Sequence, residues 1–204
     1  MKKSFLILLI GVLYTAVLTS CGGDNVGDNE EFAGLKLVEW EEGNRLQYFD
    51  LEHIEKSSDL ILIGKFTGDA VQEEIYQYDE HFQKDIVIFT KSKSTLEILK
   101  VYSGDVNEGD SITVTQYYGV YDDSLATDSK LTPMLKDDTW LFFLTADNDG
   151  TYYCTGDNDG RYPLQNTSYR KIALTDYEDL GVYRKEDFRE DIYAEILKSY
   201  EFEY

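Results

Sequence analysis

Cysteine, histidine and basic residues are scarce in this 204-residue chain, which has two cysteines, two histidines, and 19 lysines and arginines. The chain contains no Cys-x-x-Cys pair and no His-Glu-x-x-His motif, so the sequence offers no recognisable zinc site. Against the 19 basic residues stand 40 aspartates and glutamates, and the formal net charge is −21. A nucleic acid would be repelled by such a polyanion, so we expect no nucleic acid partner.

The first 20 residues have the layout of an export signal. Lys2 and Lys3 precede an apolar run at 5–18, and small polar residues follow that run. A membrane-spanning helix needs about 20 apolar residues, whereas this run is shorter and contains Gly11. Residues 1–20 therefore predict a signal peptide that is cleaved, and its removal takes away two lysines and moves the formal charge from −21 to −23.

The four residues Leu18-Thr19-Ser20-Cys21 resemble the lipobox of bacterial lipoproteins. In that family the cysteine thiol receives a diacylglyceryl group and the signal is cut just before it. The resemblance implies that Cys21 carries acyl chains such as palmitate, which hold the protein stably at a bilayer. Residues 21–31, rich in Gly, Asp, Asn and Glu, predict a disordered tether. We expect a lipid anchor at the extracytoplasmic face of a bacterial cell membrane; an ordinary cleaved signal with a chance cysteine is the alternative.

Residues 32–204 predict one mainly β domain of the α+β type. The predicted strands lie at 60–66, 86–90, 96–101, 112–118, 140–144, 152–154 and 161–164. A short helix is predicted at 48–58 with Asp50 as its N-cap, and the spacing of Phe188, Ile192 and Ile196 predicts an amphipathic C-terminal helix. Short strands with polar turns favour a small antiparallel barrel or sandwich, with irregular excursions at 69–84 and 119–133.

The order of four segments resembles that of secreted bacterial domains and of the netrin-like domains of tissue inhibitors of metalloproteinases. The segments are 58–65, 96–104, 109–114 and 140–144. In those domains an alanine-aspartate pair opens the first strand, and here Ser58-Asp59 stands in its place. The resemblance implies a small OB-like β-barrel. It does not carry over zinc-protease inhibition, because an acylated Cys21 could not chelate zinc and Cys154 has no disulfide partner.

Tyrosine is abundant, with 17 residues, and Tyr117, Tyr118 and Tyr121 form one local group. Neighbouring residues in a strand point to opposite faces, so about half of such a group is expected to be exposed. An exposed tyrosine beside aspartate suits a sugar or a peptide, because the ring packs and its edge is polar. We interpret the three tyrosines as candidates for binding a protein or a cell-wall carbohydrate, with half-buried packing as the structural alternative.

Two turns share the sequence Asp-Asn-Asp-Gly, at 147–150 and 157–160. Closely spaced carboxylates before a glycine begin an EF-hand calcium loop, but the remaining ligand positions of that loop are missing here. The same residues also form ordinary hairpin turns. A calcium-dependent adhesion or sensor module is therefore kept as an alternative. Its candidate ligands are Asp147, Asp149, Asp157 and Asp159.

Recognisable catalytic motifs are missing from the sequence. There is no Gly-x-Ser-x-Gly, and His53-Ile54-Glu55 lacks the Pro-Cys-x-x-Cys that accompanies His-x-Glu in deaminases. Acidic pairs such as Asp122-Asp123 are common in so acidic a chain and do not define a site. We expect a non-enzymatic protein without catalytic residues or cofactor; a site built from scattered carboxylates is the enzymatic alternative. Cys154 is expected to be a small buried apolar residue.

Overall fold

The computed structural model describes residues 32, 34–40, 48, 50–128, 133–156, 160–164, 171–172, 180–181 and 190–202. The signal peptide at 1–20, the tether at 21–31 with Cys21, and Asp157, Asp159 and Phe188 lie outside these residues. The elements are β1 Lys36–Trp40, α1 Leu51–Lys56, β2 Leu60–Phe66, β3 Val71–Asp79, β4 Lys84–Ser103, β5 Ser111–Gln116, β6 Tyr118–Tyr121, β7 Ser124–Asp128, β8 Thr139–Ala146, β9 Tyr152–Cys154, β10 Arg161–Pro163, β11 Lys171–Ile172, β12 Leu180–Gly181 and α2 Glu190–Ser199.

Five strands close into a barrel. β8 pairs with β2, β2 with β4, β4 with β5, β5 with β9, and β9 returns to β8. All of these pairs are antiparallel except β5–β9, which is parallel. The predicted mainly β fold, with a small OB-like barrel, a short N-terminal helix and a C-terminal helix, is confirmed.

Much of the core is formed by the two apolar runs at 60–66 and 140–144, which lie in β2 and β8. Leu62 and Ile63 in β2 and Leu141 in β8 are completely buried. These strands are buried on both faces, which explains why their sequences are uniformly apolar rather than alternating. The helices cover part of this layer, since Ile54 of α1 and Ile196 of α2 are also completely buried.

β4 is one strand of 20 residues, where the sequence predicts two strands at 86–90 and 96–101. Its middle reads Lys-Ser-Lys-Ser, which resembles a polar break. In the structure Ser92 and Ser94 are buried at the barrel interior, while Lys91 and Lys93 point the other way. Small hydroxyl groups thus continue the strand through a position where the sequence pattern indicates an interruption.

The segment 69–84, expected to be irregular, instead forms most of an antiparallel hairpin with β4. β3 pairs with residues 84–93 of β4 along its whole length, and we call this two-stranded unit the arm. The irregular conformation expected at 69–84 is wrong, because β3 is exposed on both faces and so carries no apolar periodicity. The segment 119–133 leaves the barrel as expected, but its described part is largely strand: it holds most of β6 and all of β7, which form a three-stranded sheet with β1 that we call the outer sheet.

Candidate binding groove

The inner face of the arm continues the interior face of the barrel beyond the point where the core ends. In the register of β3 and β4, each residue shares a face with the residue directly opposite it. Four such pairs form the surface that we call the inner face: Gln72 with Ser92, Glu74 with Thr90, Tyr76 with Val87, and Tyr78 with Asp85. Ser92 and Thr90 are buried, whereas Tyr76 and Tyr78 are each 57% exposed. The face of the sheet that carries the core within the barrel therefore presents two tyrosine rings of β3 to solvent further along the arm.

The base of the arm is held against the outer sheet by two contacts. Gln72 accepts a hydrogen bond from the backbone N–H of Val120 in β6, at 3.2 Å. Gly119 lies so close to Thr90 that a Cβ atom added there would be 2.6 Å from the Thr90 Cβ. Only glycine permits this approach without displacing the neighbouring chain.

Between the arm and the outer sheet lies an open groove of about 400 Å³. The outer sheet contributes Val38 and Ala126, and the turn between β6 and β7 contributes Asp122 and Asp123. β4 contributes three consecutive residues, at 87–89, where its register with β3 shifts by one residue. The described residues that line the groove are Val38, Val87, Ile88, Phe89, Tyr121, Asp122, Asp123, Ser124 and Ala126. A groove of this size with a mainly apolar floor and a polar wall has the composition of a ligand site.

Two phenol groups beside the groove keep their protons. Burial, and then the nearby Glu74 carboxylate, raise the pKa of Tyr121 above its usual value. Tyr76 donates a hydrogen bond to Glu74, and that bond raises the pKa of Tyr76 as well. Both hydroxyls are thus protonated at neutral pH; that of Tyr76 donates to Glu74, and that of Tyr121 can act as a hydrogen-bond donor.

The charges of the arm are divided between its faces. The inner face carries Glu74 and Asp85 and no basic residue. On the opposite face, the ammonium of Lys93 lies 3.1 Å from Glu73 and Lys91 lies 3.7 Å from the same carboxylate. The inner side of the arm is therefore acidic and aromatic, while Lys91 and Lys93 are paired with Glu73 on its outer side.

The structure separates the three tyrosines predicted as ligand contacts. Tyr121 lines the groove. The Tyr118 ring is 1% exposed and packs edge-on against Phe32 at 5.8 Å, so it belongs to the core and cannot reach a ligand. Tyr117 is half-buried with its ring edge-on to Phe89, also at 5.8 Å. Side-chain alternation along the strand separates Tyr118 from Tyr121, as the sequence argument anticipated for such groups.

Sequence reasoning missed the arm residues that stand beside Tyr121. Tyr76 and Tyr78 are two positions apart in β3, which places them on one face of a strand. This spacing was the available signal, but it needed the segment 69–84 to be recognised as a strand. Val87 and Ile88, 39% and 43% exposed, lie in the strand predicted at 86–90, and the sequence pattern did not indicate that these side chains are exposed.

The two described calcium candidates are occupied by protein contacts. Asp149 accepts hydrogen bonds from the backbone N–H and the hydroxyl of Thr151, at 3.0 and 2.6 Å, and pairs with Lys93 at 2.9 Å. These donors hold the pKa of Asp149 well below its usual range. Asp147 accepts from the N–H of Asn148 at 2.7 Å within the hairpin turn. Among the described residues, no group of three or more His, Cys, Asp or Glu side chains is placed to hold a metal ion.

The barrel interior also contains a buried polar pair. The Gln116 side-chain oxygen accepts from the backbone N–H of Met134 at 3.0 Å and from the guanidinium of Arg161 at 3.3 Å. Arg161 is completely buried. A buried charge requires such partners, so this pair joins β5, β10 and the loop before β8 within the core.

No protein-family model, curated protein or solved structure matches this chain. Within the ranges that the structure covers, no helix combines the length and the apolar character needed to span a bilayer. Function must therefore be inferred from the arm and the groove themselves.

Proposed function

We propose that this protein is a non-enzymatic binding module, anchored through lipid on Cys21 at the extracytoplasmic face of a bacterial membrane. The lipobox-like residues at 18–21 and the export-signal layout before them support the anchor. The formal charge of −21 supports a lipid rather than an electrostatic attachment, because anionic headgroups repel an acidic chain. The ligand is a protein or a cell-wall component that enters the groove between the arm and the outer sheet.

The exposed apolar surface around the groove is the observation that carries this proposal. Val38, Val87 and Ile88 are 50%, 39% and 43% exposed, and all three line the groove. The Tyr76 and Tyr78 rings are more than half exposed on the adjoining inner face. Clustered apolar side chains with a polar rim are typical of interaction sites on soluble domains. The exposed apolar side chains thus come from both walls of the groove, from the arm and from Val38 of the outer sheet.

The chemistry of the groove favours binding over catalysis. Among the residues that the structure describes, its lining includes neither histidine nor cysteine. The Ser124 hydroxyl donates to Asp123 at 3.2 Å, and Asp123 also pairs with Lys36 at 2.7 Å. Hydrogen bonds from Lys36 and Ser124 hold the pKa of Asp123 below its usual value, which makes this carboxylate a poor general base.

The anchor is tested by changing Cys21→Ser in the full-length protein. We expect the wild type in the membrane fraction, with a mass increase on its N-terminal peptide that corresponds to the lipid. The variant should lose the mass increase and leave the membrane fraction. Equal membrane association of both proteins, with no added mass on Cys21, would contradict the lipid anchor.

The groove is tested with full-length lipidated protein in an uncharged detergent. Binding of cell-wall glycan fragments and of peptides is measured by fluorescence anisotropy for the wild type and for Ile88→Asp, which places a charge in the groove. Val71→Asp is the matched control, since Val71 is an exposed apolar residue of the arm, 70% exposed, outside the groove lining. We expect binding that is lost in Ile88→Asp and kept in Val71→Asp. A ligand that is bound equally by all three proteins would contradict the site.

A further inference from the structure

The arm has an unpaired strand edge beside the groove. β3 and then β2 occupy one edge of β4 in succession. On the opposite edge, pairing with β5 begins at Ser92. In the part of the chain that the structure describes, no strand pairs with this second edge between 84 and 91. Val87, Ile88 and Phe89 on this stretch also line the groove. Backbone N–H and C=O groups along such an edge are a template for another strand.

The groove is placed to receive side chains from a strand added to that edge. Alternate side chains of an extended peptide point to one face, about 7 Å apart. Val38 and Ala126 of the outer sheet form the apolar floor beside the edge. Main-chain pairing with apolar pockets for alternate side chains is the arrangement used when a peptide is bound by strand addition.

The charges around the groove select a basic peptide. Glu74 and Asp85 are the only charged members of the inner face, and Asp122 is exposed on the turn that forms the wall of the groove. Lys91 and Lys93 lie on the opposite face of the arm, where they pair with Glu73. Lys36 of the outer sheet also lies beside the groove, but it is paired with Asp123 at 2.7 Å. An approaching segment therefore meets the carboxylates of Glu74, Asp85 and Asp122 on this side, so complementary charge on the partner is positive.

We propose that the groove binds an extended segment of a cationic partner protein. The segment pairs with β4 between 84 and 91, inserts an aliphatic or aromatic side chain between Val38 and Ile88, and places lysine or arginine beside Glu74 and Asp122. A cationic partner of this kind requires the binding function proposed above and specifies the class of ligand for that function. A second copy of this chain fits the site less well, because it brings the same formal charge of −21.

The test measures anisotropy of labelled peptides with the full-length lipidated protein in an uncharged detergent. The probes are the alternating peptide (Lys-Val)5, its acidic counterpart (Glu-Val)5, and (Lys-Val)5 with N-methylated valines, which cannot donate hydrogen bonds along one edge. We expect (Lys-Val)5 to bind about tenfold or more tightly than (Glu-Val)5, and to weaken with salt. N-methylation should weaken binding about tenfold as well, because main-chain pairing supplies much of the affinity.

Variants of the protein distinguish the possible outcomes. Ile88→Asp should abolish binding of (Lys-Val)5, while Val71→Asp should leave it unchanged. Equal binding to both variants would show general electrostatic attraction and overturn the inference. Binding of a cell-wall glycan that is lost in Ile88→Asp, with no binding of (Lys-Val)5, would overturn the cationic partner but support the binding function. Self-association that disappears in Ile88→Asp, again without peptide binding, would assign the groove to a second copy. Failure of every ligand and of self-association would overturn both proposals.

Discussion

The ammonium of Lys93 on the arm lies 2.9 Å from the carboxylate of Asp149, in the turn between β8 and β9. The same ammonium lies 3.1 Å from Glu73 of β3. Lys93 therefore joins both strands of the arm to the turn between β8 and β9. Two carboxylates raise the pKa of Lys93, chiefly through the hydrogen bond that Lys93 donates to Asp149, so the charge is present at neutral pH.

The hydrogen bonds that Asp149 accepts from Thr151 and from Lys93 predict a loss of stability in acid, because they lower the pKa of Asp149. The folded-state pKa of Asp149 lies below its ordinary value of 3.8, so the stabilisation is complete above about pH 4 and is lost as the pH falls further. We expect Asp149→Asn to lower the melting temperature by an amount that is constant from pH 5 to 8 and shrinks below pH 4. Thermal unfolding of wild type and variant across this range is the measurement. A difference that grows in acid would contradict the link.

Calcium is predicted to leave the stability of the turn at 147–150 unchanged. A cation at Asp149 would have to displace Lys93, since the Asp149 carboxylate already accepts from Lys93 and Thr151. Millimolar Ca²⁺ should therefore not change the melting temperature of the wild-type protein. The variant Lys93→Met serves as the control, because it removes the competing ammonium. A rise in the wild-type melting temperature that is lost in Asp149→Asn would instead support the calcium module.

Gly119 is predicted to set the distance between the arm and the outer sheet. Gly119→Ala would place a Cβ atom 2.6 Å from the Cβ and Cγ2 atoms of Thr90, so one chain has to shift. Overpacking of this kind costs about 1–3 kcal/mol of the free energy of unfolding. Urea denaturation of Gly119→Ala, of Thr90→Gly and of the double variant measures the coupling. If the alanine costs as much in the Thr90→Gly background, the predicted clash is wrong.

Tyr200 is predicted to fasten the C-terminal helix to α1. Its hydroxyl donates to the Glu55 carboxylate at 2.6 Å, and burial and then Glu55 raise the pKa of Tyr200. Tyr200→Phe should cost about 1.5–3 kcal/mol, as for a hydrogen bond to a charged group. Because the phenol stays protonated in the folded state, the wild type should lose stability as the pH rises above about 10, where the unfolded chain ionises. The variant should lack this contribution.

Denaturation of wild type and Tyr200→Phe at pH 7 and near pH 11 checks this relationship. The advantage of the wild type should narrow at the higher pH. Glu55→Gln provides a second variant, since it keeps a hydrogen-bond acceptor but removes the charge. An unchanged unfolding midpoint in Tyr200→Phe at pH 7 would show that the hydrogen bond contributes nothing.

Several local elements could be predicted from the sequence because their signals are contained within a few residues. The apolar run at 60–66 and the run at 140–144 became β2 and part of β8, since only a buried strand accommodates so many consecutive apolar side chains. Asp50 caps α1 as predicted, accepting from the N–H of His53 at 2.9 Å. Cys154 is buried, 7% exposed, as expected for its strand.

The arm could not be predicted because the strand conformation of β3 depends on hydrogen-bonded pairing with β4 and not on burial of its side chains. β3 is exposed on both faces, so propensity and periodicity carry little information there. Its strand is stabilised by continuous hydrogen bonding to β4, and β4 in turn extends through Ser92 and Ser94, which look like a break in the sequence. A strand without an apolar face becomes visible only when its partner is known.

By itself, the sequence determined the acidic character, the buried strands and the class of the fold, because each depends on composition or on neighbouring residues. The export and lipidation signal stays a prediction. Only the tertiary structure decided that Tyr121 reaches the groove while Tyr118 enters the core. It also decided that Val38, Ile88 and Asp122 share one groove, although they come from three separate parts of the chain. The reason is physical: a binding surface is a property of which strands pair and how closely they pack, and those distances are set between segments far apart in sequence.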